Sequence, residues 1–148
     1  MSGSALQVLY GLSLALWIGG MAIFTFLVTP AIFSSYGKDK AGEIVGRLFP
    51  GYFLYKLGVS ILALIFYLFM WRGALQLALL VLALLLNVFH RFGLYPAILR
   101  VKKAVPSFES DAGSAIRKKF KSLHKVSMLL NLAVLFAGLV LFIFSYQR

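Results

Sequence analysis

No Asp, Glu, Lys or Arg precedes Lys38, and the residues from about Ala5 to Phe33 are almost continuously apolar. Three more apolar stretches follow, from about Phe49 to Trp71, from Gly73 to His90 and from Val126 to Tyr146. A bilayer core of about 30 Å needs ~20 apolar residues in an α-helix, so each stretch can serve as a span, the third being the shortest. The pattern predicts an all-α fold, an integral membrane bundle of four transmembrane helices, as one domain over residues 1–148. Only Arg72 and Gly73 separate spans two and three, which predicts a tight antiparallel hairpin. The first stretch does not read as a signal peptide, because it lacks a basic leading segment and its apolar run is too long.

Composition agrees with the pattern. Hydrophobic residues make up 61% of the chain and charged residues 13%, against about 25% charged in a soluble domain. There is no cysteine, which excludes disulfides, thiolate metal sites and cysteine nucleophiles. The net charge of +11 reads as a membrane face rich in Lys and Arg rather than as a nucleic-acid surface.

Charge also orients the chain. Nine of the fifteen basic residues fall in the connector from Arg91 to Lys125. Lys38, Lys40, Arg47 and Lys56 bring that side to thirteen, against Arg72 and Arg148 on the other. The positive-inside rule then places both basic links in the cytoplasm and both termini outside, in a plasma or inner membrane.

Small residues recur on one face of span one (Gly11, Ala15, Gly19, Ala22) and more briefly in span four (Ala133, Ala137). Such faces let helix backbones approach in lipid and leave room for a homo-oligomer. Trp17 lies mid-span and is expected to pack inward. Tyr10, Trp71 and Tyr146 at one boundary, with Tyr36, Tyr52, Tyr55 and Tyr95 at the other, read as aromatic belts.

The candidate chemistry is polar and sits toward the connector. Span three ends with Asn87, His90 and Arg91, and span four begins with His124, Ser127 and Asn131. Helical offsets of three and four put each set on one stripe. Thr25, Thr29 and Pro30 bring span one to the same depth, and Arg47, Tyr52 and Lys56 bring span two. A lysine this near the interface ordinarily snorkels to water along its stem. Polar groups in a bilayer face the bundle and seek partners, so Asn87 and Asn131 could simply pin the register of spans three and four. The alternative is a small-ligand site built from His90, His124, Asn87, Asn131, Ser127, Arg91, Lys56 and Thr29. His90 and His124 on neighbouring helices also raise a metal ion or haem as cofactor. All four carboxylates (Asp39, Glu43, Glu109, Asp111) lie outside the spans, which argues against a hard-cation site and against a carboxylate proton relay.

The connector is expected to continue span three as a helix toward Lys103 and to break at Val105, Pro106 and Ser107. Ser110 or Asp111 can cap a second helix, beginning near Ala112 and feeding into span four. Its face of Ile116, Phe120 and Leu123 is apolar, and Arg117, Lys118, Lys119, Lys121 and Lys125 form its basic face. Such a cytoplasmic amphipathic helix can meet anionic lipid headgroups.

Several motifs occur together. Trp17-Ile18-Gly19-Gly20, Pro30-Ala31-Ile32-Phe33, Ala41-Gly42 followed by Gly46 to Phe53, and the later Phe120, Leu123-His124, Ser127 and Asn131 resemble the membrane family called domain of unknown function 4149. The resemblance covers nearly the whole chain and implies a four-span helical membrane protein of largely unassigned activity. A more distant likeness to copper-resistance-D-like and protoporphyrinogen-oxidase-like membrane proteins implies that haem or metal is worth testing. Three readings follow: a non-enzymatic protein that binds or helps move a small ligand, a structural or interaction protein without a ligand site, and a haem-dependent membrane oxidoreductase. No catalytic residue is indicated.

Overall fold

The computed structural model describes residues 3–70, 73–105, 107 and 115–146. Four helical segments, Gly3–Ser35, Lys38–Met70, Ala74–Lys103 and Ala115–Tyr146, are each long and apolar enough to cross a membrane. They divide into α1 (Gly3–Ala22), α2 (Thr29–Ser35), α3 (Lys38–Met70), α4 (Ala74–Phe89), α5 (Tyr95–Lys103) and α6 (Ala115–Tyr146). Wider π-helical turns join α1 to α2 (Ile23–Val28) and α4 to α5 (His90–Leu94). The spans alternate in direction and close a ring in which α1 and α4 each pack against both α3 and α6. One end of the bundle carries the α3–α4 hairpin, and the other carries the basic connector.

The helices extend beyond the apolar runs. The polar stretch between the first two apolar runs, Ser34 to Gly46, is mostly the first turns of α3, which begins at Lys38 and continues through Pro50. At the far end of α3 the chain reverses at Gly73, whose φ of 134° suits glycine. Trp71 and Arg72 lie outside the described residues, as do Pro106, Glu109, the proposed caps Ser110 and Asp111, and the expected helix start at Ala112.

Proline explains the two wide turns. It lacks an N–H and crowds the carbonyl four residues earlier, so the preceding helix opens to a π-turn. Pro30 and Pro96 stand at equivalent places, two residues beyond each π stretch, inside the matching segments Pro30-Ala31-Ile32 and Pro96-Ala97-Ile98. Pro50 leaves Gly46 without its usual helical donor, and the Tyr95 hydroxyl donates to that carbonyl at 3.4 Å.

Tyr10, Leu14, Trp17 and Met21 supply the inward face of α1, at helical offsets of four, three and four, and meet Tyr67, Leu80, Ala83, Val134 and Leu141. Trp17 is wholly buried, as expected, and its indole N–H donates to Met21 Sδ at 3.1 Å. The opposite faces are apolar and exposed, with Leu12, Phe26, Leu54, Phe69, Leu85 and Phe136 pointing outward. In water that would be a large aggregation-prone surface; in a bilayer it is the lipid face.

Two packing expectations are corrected. The small-residue face of α1 is not its contact face, since Gly19 has no neighbour within 4 Å of a modest side chain and Ala15 is exposed. Close approach occurs instead at Gly20, where a Cβ would collide with the Tyr55 ring, and at Gly138, which faces Ile18 and Trp17. The bulky aromatics win because they fill the ring interior and make dispersion contacts that alanine cannot. Nor are Tyr10, Tyr52 and Tyr95 belt residues, for all three are buried, whereas Tyr36 and Tyr146 are exposed.

Candidate functional site

On α3, Tyr52, Lys56 and Ser60 recur every four residues and so share one inward stripe. Lys56 is 0% exposed. This overturns the expectation that it snorkels: its stem turns into the ring, where polar side chains from every span converge. Its ammonium donates to Asn131 Oδ1 at 3.0 Å and lies 3.4 Å from His90 Nδ1. The rings of Tyr52 and Phe53 each lie 5.3 Å away, adding cation–π attraction. No ion pair involves Lys56 among the described residues, whose salt bridges are Lys40–Glu43 and Arg47–Glu43.

Asn131 of α6 is the hub. Its Oδ1 also accepts from the Tyr52 hydroxyl at 2.9 Å, and its Nδ2 donates to Thr25 Oγ1 at 2.9 Å. His90 Nε2 lies 2.6 Å from Ser127 Oγ. A protonated Lys56 can only donate to Nδ1, and that arrangement assigns the ring proton to Nε2 with Ser127 as its acceptor. A second branch runs from Asn87 Nδ2 to Ser60 Oγ at 2.9 Å, and from Ser60 Oγ to the Lys56 carbonyl at 2.6 Å. Asn87 Oδ1 is buried without a hydrogen-bond partner. The two π-turns carry Thr25 and His90, so the prolines beyond them help set which face those side chains present.

Asn87 and Asn131 therefore do not bond to one another. Asn87 ties α4 to α3, while Asn131 ties α6 to α3 and to the π-turn after α1. Ser60 escaped the sequence reading, although its position one turn beyond Lys56 on the same stripe was the available signal. Arg47 is exposed and pairs with Glu43 at 2.6 Å, outside the cluster. Arg91 is beside it rather than in it, with its guanidinium 5.3 Å from the Phe92 ring and 5.8 Å from that of Tyr95.

His124 and Thr29 belong to a neighbouring feature. A cavity of about 380 Å³ at the connector end is lined by both, together with residues of α2, α3, α5 and the start of α6. His124 stacks on Phe120 with centroids 5.9 Å apart. Between cavity and cluster lies an aromatic layer, in which Phe53 contacts both His90 (4.8 Å) and Tyr95 (4.9 Å), and Phe49 contacts Tyr95 (5.8 Å). The two histidines thus occupy different settings. Both nitrogens of His90 already have partners, so a metal ion there would have to displace Lys56 or Ser127. Among the described residues no group of three or more His, Cys, Asp or Glu side chains is placed to hold a metal.

Arg117 also departs from expectation. It is 6% exposed and donates to the Ser107 carbonyl, whereas Ile116 is 40% exposed. The continuous α6 thus turns one basic residue inward, toward the cavity, and one apolar residue outward.

The ring of four apolar helices and its outward apolar faces define a multi-pass helical membrane protein. The chain belongs to the family described as Domain of unknown function (DUF4149), whose model matches residues 12–107. A similar protein, described as "Uncharacterized protein", occurs in Aquifex aeolicus (strain VF5); it is 31% identical over 122 residues, covering 82% of this chain and 83% of the relative. No solved structure matches the chain.

Proposed function

We propose that this protein binds a small ligand, or helps move one, at the polar cluster around Lys56, and that it does so without catalysing a reaction. The single observation that carries the reading is a fully buried lysine with no carboxylate partner among the described residues. An ionisable side chain inside a membrane bundle is costly and marks a ligand or ion path by default. The unpartnered Asn87 Oδ1 adds an acceptor in the same region. Lys56, Asn131, His90, Ser127 and Asn87 would contact the ligand, with Thr29, Arg91 and His124 on the approach. A cation this close to His90 favours a polar or anionic ligand over a metal ion at that nitrogen. The excess of basic residues at the connector end supports a cytoplasmic opening and external termini.

Native mass spectrometry of detergent-purified protein tests the reading. A co-purifying or added small molecule should be retained by the wild type and lost in Lys56→Met and in His90→Ala. Identical spectra for all three overturn it. An absorbance spectrum and metal analysis of the same sample test the cofactor version: haem requires a Soret band lost in His90→Ala, and a metal site requires near-stoichiometric metal.

The second reading is purely structural, and one observation favours it. Asn131 uses both ends of its amide within the protein, joining three spans. On that reading Asn131→Leu lowers stability and no ligand is ever retained.

A further inference from the structure

The cavity beside the Lys56 cluster has a composition of its own. Lys38, Lys102, Arg117 and Lys121 line it, and among the described residues no acidic one does. Asp39 and Glu43 stand nearby but are engaged elsewhere, Asp39 by the Ser107 hydroxyl at 2.6 Å and Glu43 by Lys40 and Arg47. The rest of the wall is mainly apolar, with Phe33, Phe49, Ile98, Leu99 and Phe120, beside Thr29, Tyr95 and His124. Its volume of about 380 Å³ lies within the ~300–1,000 Å³ typical of small-molecule sites.

Lys102 is held in place rather than left to solvent. It lies across Gly42 and Gly46, where a Cβ would come within 3.7 Å and 3.3 Å of its ammonium, and it donates to the Gly42 carbonyl at 2.7 Å. An ammonium has three donors, so this contact aims the group while leaving donor capacity. Cations from α3, α5 and α6 thus surround one hollow whose floor is aromatic.

We infer that this cavity is a binding site for an anionic membrane phospholipid, with the phosphate among Lys38, Lys102, Arg117 and Lys121 and the first part of an acyl chain against Phe49, Leu99 and Phe120. Charge complementarity selects the anion. The apolar wall selects a lipid over a soluble phosphate, which would leave that surface unused. The position agrees, because the cavity lies where the basic connector meets the apolar spans, the level of the headgroup–acyl boundary. Its size takes a headgroup and part of a chain, leaving the remainder in the bilayer. The cavity shares Thr29 and His124 with the approach to the Lys56 cluster but none of the side chains that would contact a ligand there, so the inference does not depend on that cluster binding one.

The test is native mass spectrometry of the purified full chain with dioleoyl phosphatidylglycerol, dioleoyl phosphatidylcholine and sn-glycerol 3-phosphate as probes. Phosphatidylglycerol should be retained at least about tenfold better than phosphatidylcholine, and glycerol phosphate should not be retained. Lys102→Gln and Lys121→Gln should each weaken phosphatidylglycerol by about fivefold, from ~1 kcal/mol per basic residue near an anionic surface. Leu99→Trp, which fills the cavity without changing charge, should abolish retention. If that variant fails to fold, the exposed Lys121→Gln carries the test. Equal retention of the two lipids, retention unaffected by Lys121→Gln and Leu99→Trp, or equal binding of glycerol phosphate each overturn the inference. Lys56→Met leaves phosphatidylglycerol retention unchanged here, so failure of the lipid site and failure of the Lys56 reading are told apart.

Discussion

The Lys56 ammonium and Asn131 Oδ1 meet at 3.0 Å across seventy-five residues of chain, one group on α3 and the other on α6. A neutral amide carbonyl, not a carboxylate, is the closest polar partner of the buried cation. Solvation by an amide, an imidazole nitrogen and two aromatic faces only partly replaces water. Lys56→Met should therefore be neutral or stabilising in a detergent melt, as apolar replacement of buried ionic groups often is. Asn131→Leu should cost about 1–3 kcal/mol, because Tyr52 and Lys56 lose an acceptor and Thr25 a donor. The double variant should recover part of that loss. A strictly additive cycle would show that the two side chains do not interact.

Pro50 and Tyr95 form a second pair to test. Tyr95 compensates a carbonyl that Pro50 orphans, at a long 3.4 Å. Tyr95→Phe should cost no more than about 0.5–1.5 kcal/mol in wild type. In a Pro50→Ala background, where residue 50 regains an N–H for Gly46, the same change should cost less. Equal costs in both backgrounds would remove the assigned role of the tyrosine hydroxyl.

Adjacent glycines in α1 should behave oppositely. Gly19 has open space, so Gly19→Ala should be neutral or stabilising by up to about 1 kcal/mol from helix propensity. Gly20 faces the Tyr55 ring, whose hydroxyl donates to the Leu16 carbonyl. Gly20→Ala should cost about 1–3 kcal/mol through overpacking. Thermal melts of the two variants side by side check both, and similar melts would contradict the close approach at Gly20.

The chain has no cysteine, so single cysteines report orientation without background. Ser35→Cys, near the connector end, should be blocked by a membrane-impermeant maleimide only in inside-out vesicles. Ser4→Cys, at the other end, should react only in right-side-out vesicles. The reverse pattern would turn the protein over and place the Lys56 opening outside.

Much of this architecture is legible in one dimension. Apolar runs of span length, the two-residue gap of Arg72 and Gly73 and the basic connector determine four helices, their alternation and the hairpin. They do so because lipid obliges a spanning backbone to satisfy its own hydrogen bonds as a helix. The two polar stripes, Asn87 with His90 on span three and Ser127 with Asn131 on span four, were visible from helical spacing alone. Lys56 was visible as a residue but not as a buried one, since snorkelling and burial differ only in where neighbouring helices leave room.

The sequence by itself determined that this is a four-span membrane protein, which end is basic and which polar residues share a depth. Only the tertiary structure decided that Lys56 turns inward onto Asn131 and His90, that Asn87 bonds to Ser60 rather than to Asn131, and that Arg117 faces a cavity. The physical reason is that hydropathy and periodicity are properties of single helices, whereas partner choice depends on the rotation of each helix in the ring. That rotation is set here by Trp17 and Tyr67 in the core and by the π-turns ahead of Pro30 and Pro96.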